Sequence, residues 1–460
     1  MVPGHSEQKA DRFEAYKTIL AKEPCILSAI AAVEKERPLW YDTGLYLYAL
    51  LPALTKFVGW VLDEAAASGK QRLYFLSRDG WQMYQIALRL AKLRGLSLEC
   101  RYLYVSRYAM RVPEYHLNPA KSMDKICVGG IDVTLEKILG RAALTVEEAV
   151  EIIFAIGWQD RYRDILNYRQ IQELKKTLMQ QKKLLQYMEA HSADEYQKAM
   201  GYLKQEGLLS ETPYAIVDSG WTGTLQQSIQ TLLRSNNPDI SLEGYYFGLY
   251  ELPKEADPDK YHAYYFSPEK GLTRKVHFSN SLFETICSSK EGMTVGYVNR
   301  NGTYMPRTDL SDRPNREQLE ENLRVLERFL YYYKEPEGGK RQTEAEKKTI
   351  EKLFLSFMSK PTELAVKAYG DNLFSDDVLE NDLKKVAAEL TGEEILDQRL
   401  VRKLFILSGI KKTSIHESAW IEGSIVRYGE NIKSNLYHAR LYKYFIYARK
   451  QIKAGKRQDV

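Results

Sequence analysis

The chain has 460 residues, 44% of them hydrophobic, enough to bury more than one sizeable core. Its 66 basic and 61 acidic residues leave a formal charge of only +5, which excludes the strongly basic footprint of a nucleic-acid-binding protein. Cys25, Cys100, Cys127 and Cys287 lack metal-type spacing and read as free thiols of a reducing compartment.

In chain order, residues 8–38 read as a polar helical lead-in, and an apolar helix follows over 40–69, closed by Ser68-Gly69. Its most apolar part, 45–62, is broken by Pro52 and Lys56, so a core helix is expected there and not a membrane span. The polar opening after Met1 carries no signal-peptide pattern, and a cytoplasmic location is the expectation. A first strand at 73–77 leads to a helix over 81–93 that ends near Gly95, then to a second strand at 101–106. That strand–helix–strand order with short connections is the pattern of a parallel sheet. Residues 132–209 read as almost wholly helical, with capping-box patterns at Thr145…Glu148 and Ser192…Glu195, and form an insertion that caps the sheet.

The sheet resumes with a strand at 214–218, a helix over 224–233 and a strand at 244–250. A hairpin is expected over 295–305, turning at Arg300-Asn301-Gly302. From Pro314 onward the chain reads as helical, with Leu319, Leu323, Leu326 and Leu330 on one face and a surface loop at Gly338-Gly339-Lys340. The fold class is α/β: a Rossmann-like parallel sheet with a helical insertion and a helical C-terminal domain. The divisions are 1–39 (lead-in), 40–131 and 211–305 (the two halves of the sheet domain), 132–210 (insertion) and 306–460 (C-terminal domain).

Candidate chemistry gathers where strands end. In Ser77-Arg78-Asp79-Gly80, Asp79 has the character of a general acid/base or magnesium ligand, and Arg78 that of a bidentate phosphate clamp. The alternative is an Arg–Asp salt bridge that fixes the turn. In Asp218-Ser219-Gly220-Trp221-Thr222-Gly223-Thr224, glycines and hydroxyl residues lie between a strand and a helix start. Free N–H groups there, with Ser219, Gly220, Thr222, Gly223 and Thr224, suit a phosphate; the alternative is a tight turn capped by Thr222 or Thr224. The lysine of a P-loop is absent. Ser106-Arg107, with Arg111, supplies a third polar strand end. Glu284 stands among apolar residues, which would raise its pKa, or it is an ordinary helix-face glutamate. His277, His416, Glu417 and Trp420 read as weaker candidates. The seven histidines include no pair at metal-binding spacing, and no Gly-x-Ser-x-Gly elbow occurs.

These segments resemble a group of bacterial predicted hydrolases of the haloacid dehalogenase superfamily, typically encoded in cell-surface polysaccharide loci. The resemblance spans roughly residues 40–300 and is carried by Phe75 to Gly80, Tyr104 to Arg107, Asp218 to Gln226, Gly244 to Leu249 and the Glu284 segment. In long members an upstream domain bears the catalytic Asp-x-Asp, and this chain resembles the part that follows it. Laid on that motif, Ser77 takes the nucleophile's place and Asp79 the acid/base's. Ser106 falls where the family has its phosphate-binding hydroxyl, and Asp218 where it has a magnesium carboxylate. The resemblance implies a phosphate-ester-handling protein acting with Mg2+ on a phosphorylated sugar or nucleotide in surface-polysaccharide synthesis. Asp79, Asp218 and Glu284 would be catalytic, with glycosyltransferases or a separate hydrolase chain as partners. The 78–80 and 218–224 loops also resemble the pyrophosphate and ribose-phosphate loops of phosphoribosyltransferases, although that family usually has two adjacent acidic residues where this chain has Asp218-Ser219. A third reading, from another class, is a non-catalytic module that binds a sugar phosphate or scaffolds glycosyltransferases.

Overall fold

The computed structural model describes residues 12–458 apart from 37, 131, 310–314, 336–343, 376–382 and 409–414. Strands β1 (Arg72–Leu76), β2 (Glu99–Leu103), β3 (Tyr214–Trp221), β4 (Gly244–Leu249) and β5 (Tyr261–Phe266) form one all-parallel sheet in the order β2-β1-β3-β4-β5. The fold is α/β, as the sequence indicates. Parallel strands are covered on both faces, and the sequence shows why these tolerate it: β1 and β4 are nearly continuous apolar runs whose residues are buried along their length.

Alternate residues go to opposite sides. Leu73, Phe75, Ala215, Val217 and Phe247 enter a large core with the Leu51–Ala67 and Gly80–Arg94 helices. Tyr74, Leu76 and Ile216 enter a second core with Leu203, Ile229 and Leu232. The chain is helical from Tyr41 to Ala67, with a π turn at Tyr46–Leu50 just before Pro52. Among the described residues this is the one stretch long and apolar enough to cross a membrane, and most of it is buried inside the protein. The lead-in helices Glu14–Ile19 and Pro24–Glu36 share its core.

The helical segment between β2 and β3 starts at Arg107, well before the expected 132, and has a small core of its own around Ile138, Leu139, Ile152 and Leu174. The Thr145–Glu148 capping box is present. The one expected at Ser192 is not. Leu184 and Met188 continue one apolar face, so the Lys182–Gln205 helix runs straight through, and Ser192 is a fully buried interior residue. Its hydroxyl donates to Pro113 O (3.1 Å) and accepts from His116 N–H (2.9 Å).

Three sheet boundaries differ from expectation. β2 ends at Leu103 because Ser77 intervenes: its hydroxyl accepts from Val105 N–H (2.9 Å) and donates to Val105 O (2.6 Å). β3 continues to Trp221 because Gly220 pairs with Gly248, and a Cβ on Gly220 would lie 2.4 Å from the Gly248 carbonyl oxygen. β5 follows β4 in parallel without an intervening α-helix, so the spacing cue that exposes the other strands is missing. The hairpin forms from Thr294–Arg300 (β6) and Thr303–Thr308 (β7), with Asn301 and Gly302 both at positive φ as a type I′ turn requires. The Arg316–Tyr332 helix buries Leu319, Leu326 and Leu330. The Gly338-Gly339-Lys340 loop lies outside the described residues.

Candidate functional site

From β1 the chain adds β2 on one side, whereas β3 is laid on the other. In an open parallel sheet the crevice outside the carboxyl ends of two such strands is where ligands bind. A cavity of about 400 Å³ opens there, within the range of small-molecule sites. Every residue that the sequence reading made catalytic or phosphate-binding lines it: the three polar loops and Glu284 converge on one place. Arg111 does not line it but stands directly behind Thr224.

The carboxyl groups occupy the floor. Asp79 accepts the hydroxyl proton of Ser219 (2.6 Å), and Asp218 accepts the backbone N–H groups of Ser219 and Gly220. Burial, with Asp79 and Glu284 nearby, pushes Asp218 up to about 8 against the two N–H bonds that favour its charge. Glu284, on the Asn280–Ile286 helix, is pushed to about 7 by burial and by Asp79, offset by Arg107, the Trp221 hydrogen bond and Arg78. Both groups therefore exchange protons near neutrality, which suits an acid and a base with separate tasks.

Trp221 is not among the candidates that the sequence marks. It has φ +76°, a conformation costly for a bulky side chain. Its carbonyl accepts Tyr250 N–H (2.8 Å), and its ring lies against Phe278 (5.2 Å between centroids) and edge-on to Phe283 (5.8 Å). So held, its indole N–H donates to Glu284 Oε1 at 2.5 Å. The only signal in the sequence is the presence of so large a residue inside a Gly/Thr-rich turn.

The 222–224 turn lines the same cavity as the acids. The Thr224–Arg234 helix starts from Gly223, which occupies the cap at φ +62°, and no side chain caps the first N–H groups. Capping by Thr222 or Thr224 is thus corrected: the chain must turn left-handed here, beside the Tyr261 ring, where a Cβ on Gly223 would meet ring carbon at 2.6 Å. Thr222 and Thr224 are free to face the cavity, with their hydroxyls 3.5 Å apart. Behind them Arg111 donates to Thr224 Oγ1 (3.1 Å). Burial and then Arg107 lower its pKa to about 10, and no carboxylate lies within ion-pair distance among the described residues. A desolvated cation at an uncapped helix start can hold an anion.

Two serines behave differently from expectation. Ser106 caps the Arg107–Glu114 helix, accepting Ala109 N–H (2.9 Å), and donates its proton to Thr294 O (2.6 Å). It lines the cavity with its donor spent, so it is not available as a phosphate-binding hydroxyl. Ser77 is tied at both ends to Val105. The weaker candidates are structural. His277 bonds Ser359 Oγ (2.9 Å) and is lowered to about 4 by burial, and the buried Trp420 donates to Met358 O (2.6 Å). His416 pairs with Glu394.

No group of three His, Cys, Asp or Glu side chains among the described residues is placed to hold a metal ion. Asp79 and Asp218 nonetheless flank the cavity as two neighbouring carboxylates, and magnesium is commonly held by one or two carboxylates together with phosphate oxygens. No family model matches the chain, and no curated protein matches it.

Proposed function

We propose that the cavity binds a phosphate ester, that of a phosphorylated sugar or nucleotide, and that its carboxyl groups move protons on it. The observation that carries this reading is Arg111, a half-buried, largely desolvated cation with no carboxylate at ion-pair distance among the described residues, set behind the uncapped start of the Thr224–Arg234 helix. A phosphate on the pocket side of Thr224 would complete the charge balance, with Arg78 and Arg107 on its outer oxygens. Asp218 keeps its proton at neutral pH and can donate to a departing oxygen, while Glu284, held by Trp221, can take or return one. Magnesium arriving with the phosphate would displace the Asp218 proton and be held by Asp79 and Asp218, neutralising phosphate charge and leaving Glu284 as the proton carrier. The family resemblance supports surface-polysaccharide synthesis as the setting and glycosyltransferases or a separate hydrolase chain as partners, and the four free thiols support a cytoplasmic location.

One observation separates the enzymatic alternatives. A route through a phosphoenzyme needs a nucleophile in Ser77's place, and that hydroxyl is bound to Val105 on both sides. This favours direct displacement, as in phosphoribosyl transfer from a pyrophosphate-bearing donor, over hydrolysis through a covalent intermediate. The test is a thermal-shift series with inorganic phosphate and pyrophosphate, with and without magnesium, followed by turnover of the ligands that bind. Saturating phosphate should stabilise the protein, and Arg107→Ala should weaken the effect; a ligand at a hundred times its Kd adds about 2.7 kcal/mol. Ser77→Ala should retain turnover. Absence of any shift would leave the scaffold reading, and loss of turnover in Ser77→Ala would restore the covalent route.

A further inference from the structure

The same cavity has a second wall of different chemistry, contributed largely by the C-terminal region. Leu319 comes from the Arg316–Tyr332 helix, Leu373 and Phe374 form the two-residue strand β8 (Leu373–Phe374), and Leu383 directly precedes its partner β9 (Lys384–Lys385). The backbone of Leu373, the residue before Phe374, is held in place. Asn315, at the head of the Arg316–Tyr332 helix, donates to Leu373 O (3.0 Å) and accepts Leu373 N–H (3.1 Å) with the same side-chain amide. The Phe374 ring stacks on no other ring among the described residues, whereas Trp221 is surrounded by four. Beside this wall, Asn280 and Ser281 line the cavity, and their side chains make no hydrogen bond within the protein among the described residues.

A simple sugar phosphate matches this wall poorly, because its hydroxyls would lie against leucines that cannot bond them. A planar heterocycle matches it in both respects: its face suits the half-buried Phe374 ring, and its edge offers donors and acceptors to an asparagine amide and a serine hydroxyl. Resting on the phosphate-ester reading, we infer that the ligand is a nucleotide, with its phosphate at Thr224 and its base on Phe374 between Leu319 and Leu383.

The test is calorimetric titration of the full chain with adenosine and uridine monophosphates, the two nucleosides, ribose 5-phosphate and inorganic phosphate. At least one nucleotide should bind about tenfold or more tightly than ribose 5-phosphate, the usual worth of one base–aromatic stack. Phe374→Ala should remove that advantage and leave phosphate binding unchanged. Phe374→Leu keeps an apolar side chain for packing and should lose the same advantage, which separates stacking from misfolding. Ribose 5-phosphate binding as tightly as either nucleotide, or nucleotide affinity indifferent to both variants, would overturn the inference. Nucleosides that bind as well as their monophosphates, with phosphate not binding at all, would uphold the base wall and refute the phosphate reading. Failure of every ligand would refute both.

Discussion

Asp218→Asn in metal-chelated protein gives the sharpest check on the electrostatics of the cavity. The folded carboxyl titrates near 8, the ordinary one at 3.8, so the folded state holds a proton that the unfolded chain releases. The sign follows from linkage: the stability contribution is intact below pH 4 and is lost as pH rises through 8. Integrated from pH 5 to pH 8, the loss comes to about 4 kcal/mol. With an unfolding entropy of ~2.1 cal/mol/K per residue, that is a fall of about 4 °C in the midpoint for a chain of this length. Asparagine keeps an acceptor for the Ser219 and Gly220 N–H groups but has no proton to lose. The variant should therefore run flat where the wild type declines, and should be the more stable of the two at pH 8 while losing turnover. Differential scanning calorimetry in buffers from pH 5 to 8 reads both curves. Parallel curves would show that Asp218 ionises freely in the folded protein and would remove it as the acid.

Other perturbations separate structure from chemistry. Glu284→Gln should abolish a limb of the pH–rate profile near 7, and Trp221→Phe should move that limb to higher pH, because the lost indole N–H favours the charged carboxylate. An unchanged profile in Trp221→Phe would reduce the tryptophan to packing. Arg111→Met should raise the thermal midpoint by removing a desolvated cation, yet abolish stabilisation by phosphate; a lower midpoint with phosphate binding intact would refute the anion assignment. Gly220→Ala places a Cβ against the Gly248 carbonyl at φ +110° and should cost about 2 kcal/mol or more in urea denaturation.

What the sequence disclosed, and what it hid, follows from the range of the interactions involved. β1 and β3 are legible because a fully buried parallel strand must be apolar along its length, and the abrupt change to Arg78-Asp79 or Asp218-Ser219 marks where it emerges. Those two breaks locate the crevice, since both strands flank the point where the sheet order reverses. The roles of hydroxyls are not legible in the same way. Ser77, Ser106, Thr222 and Thr224 have the same local character, yet the two serines are bonded to Val105 and Thr294, and the threonines face the cavity. Only the strand ends brought beside them decide which donors are spent. Trp221 and Phe374 show the same limit at longer range, because one ring is enclosed by residues of four separate segments and the other follows Leu373, whose backbone is held by Asn315 from another part of the chain. The polar half of the cavity is thus written in short loops, while its apolar wall of Leu319, Leu373 and Phe374 exists only once the C-terminal region has packed against the sheet.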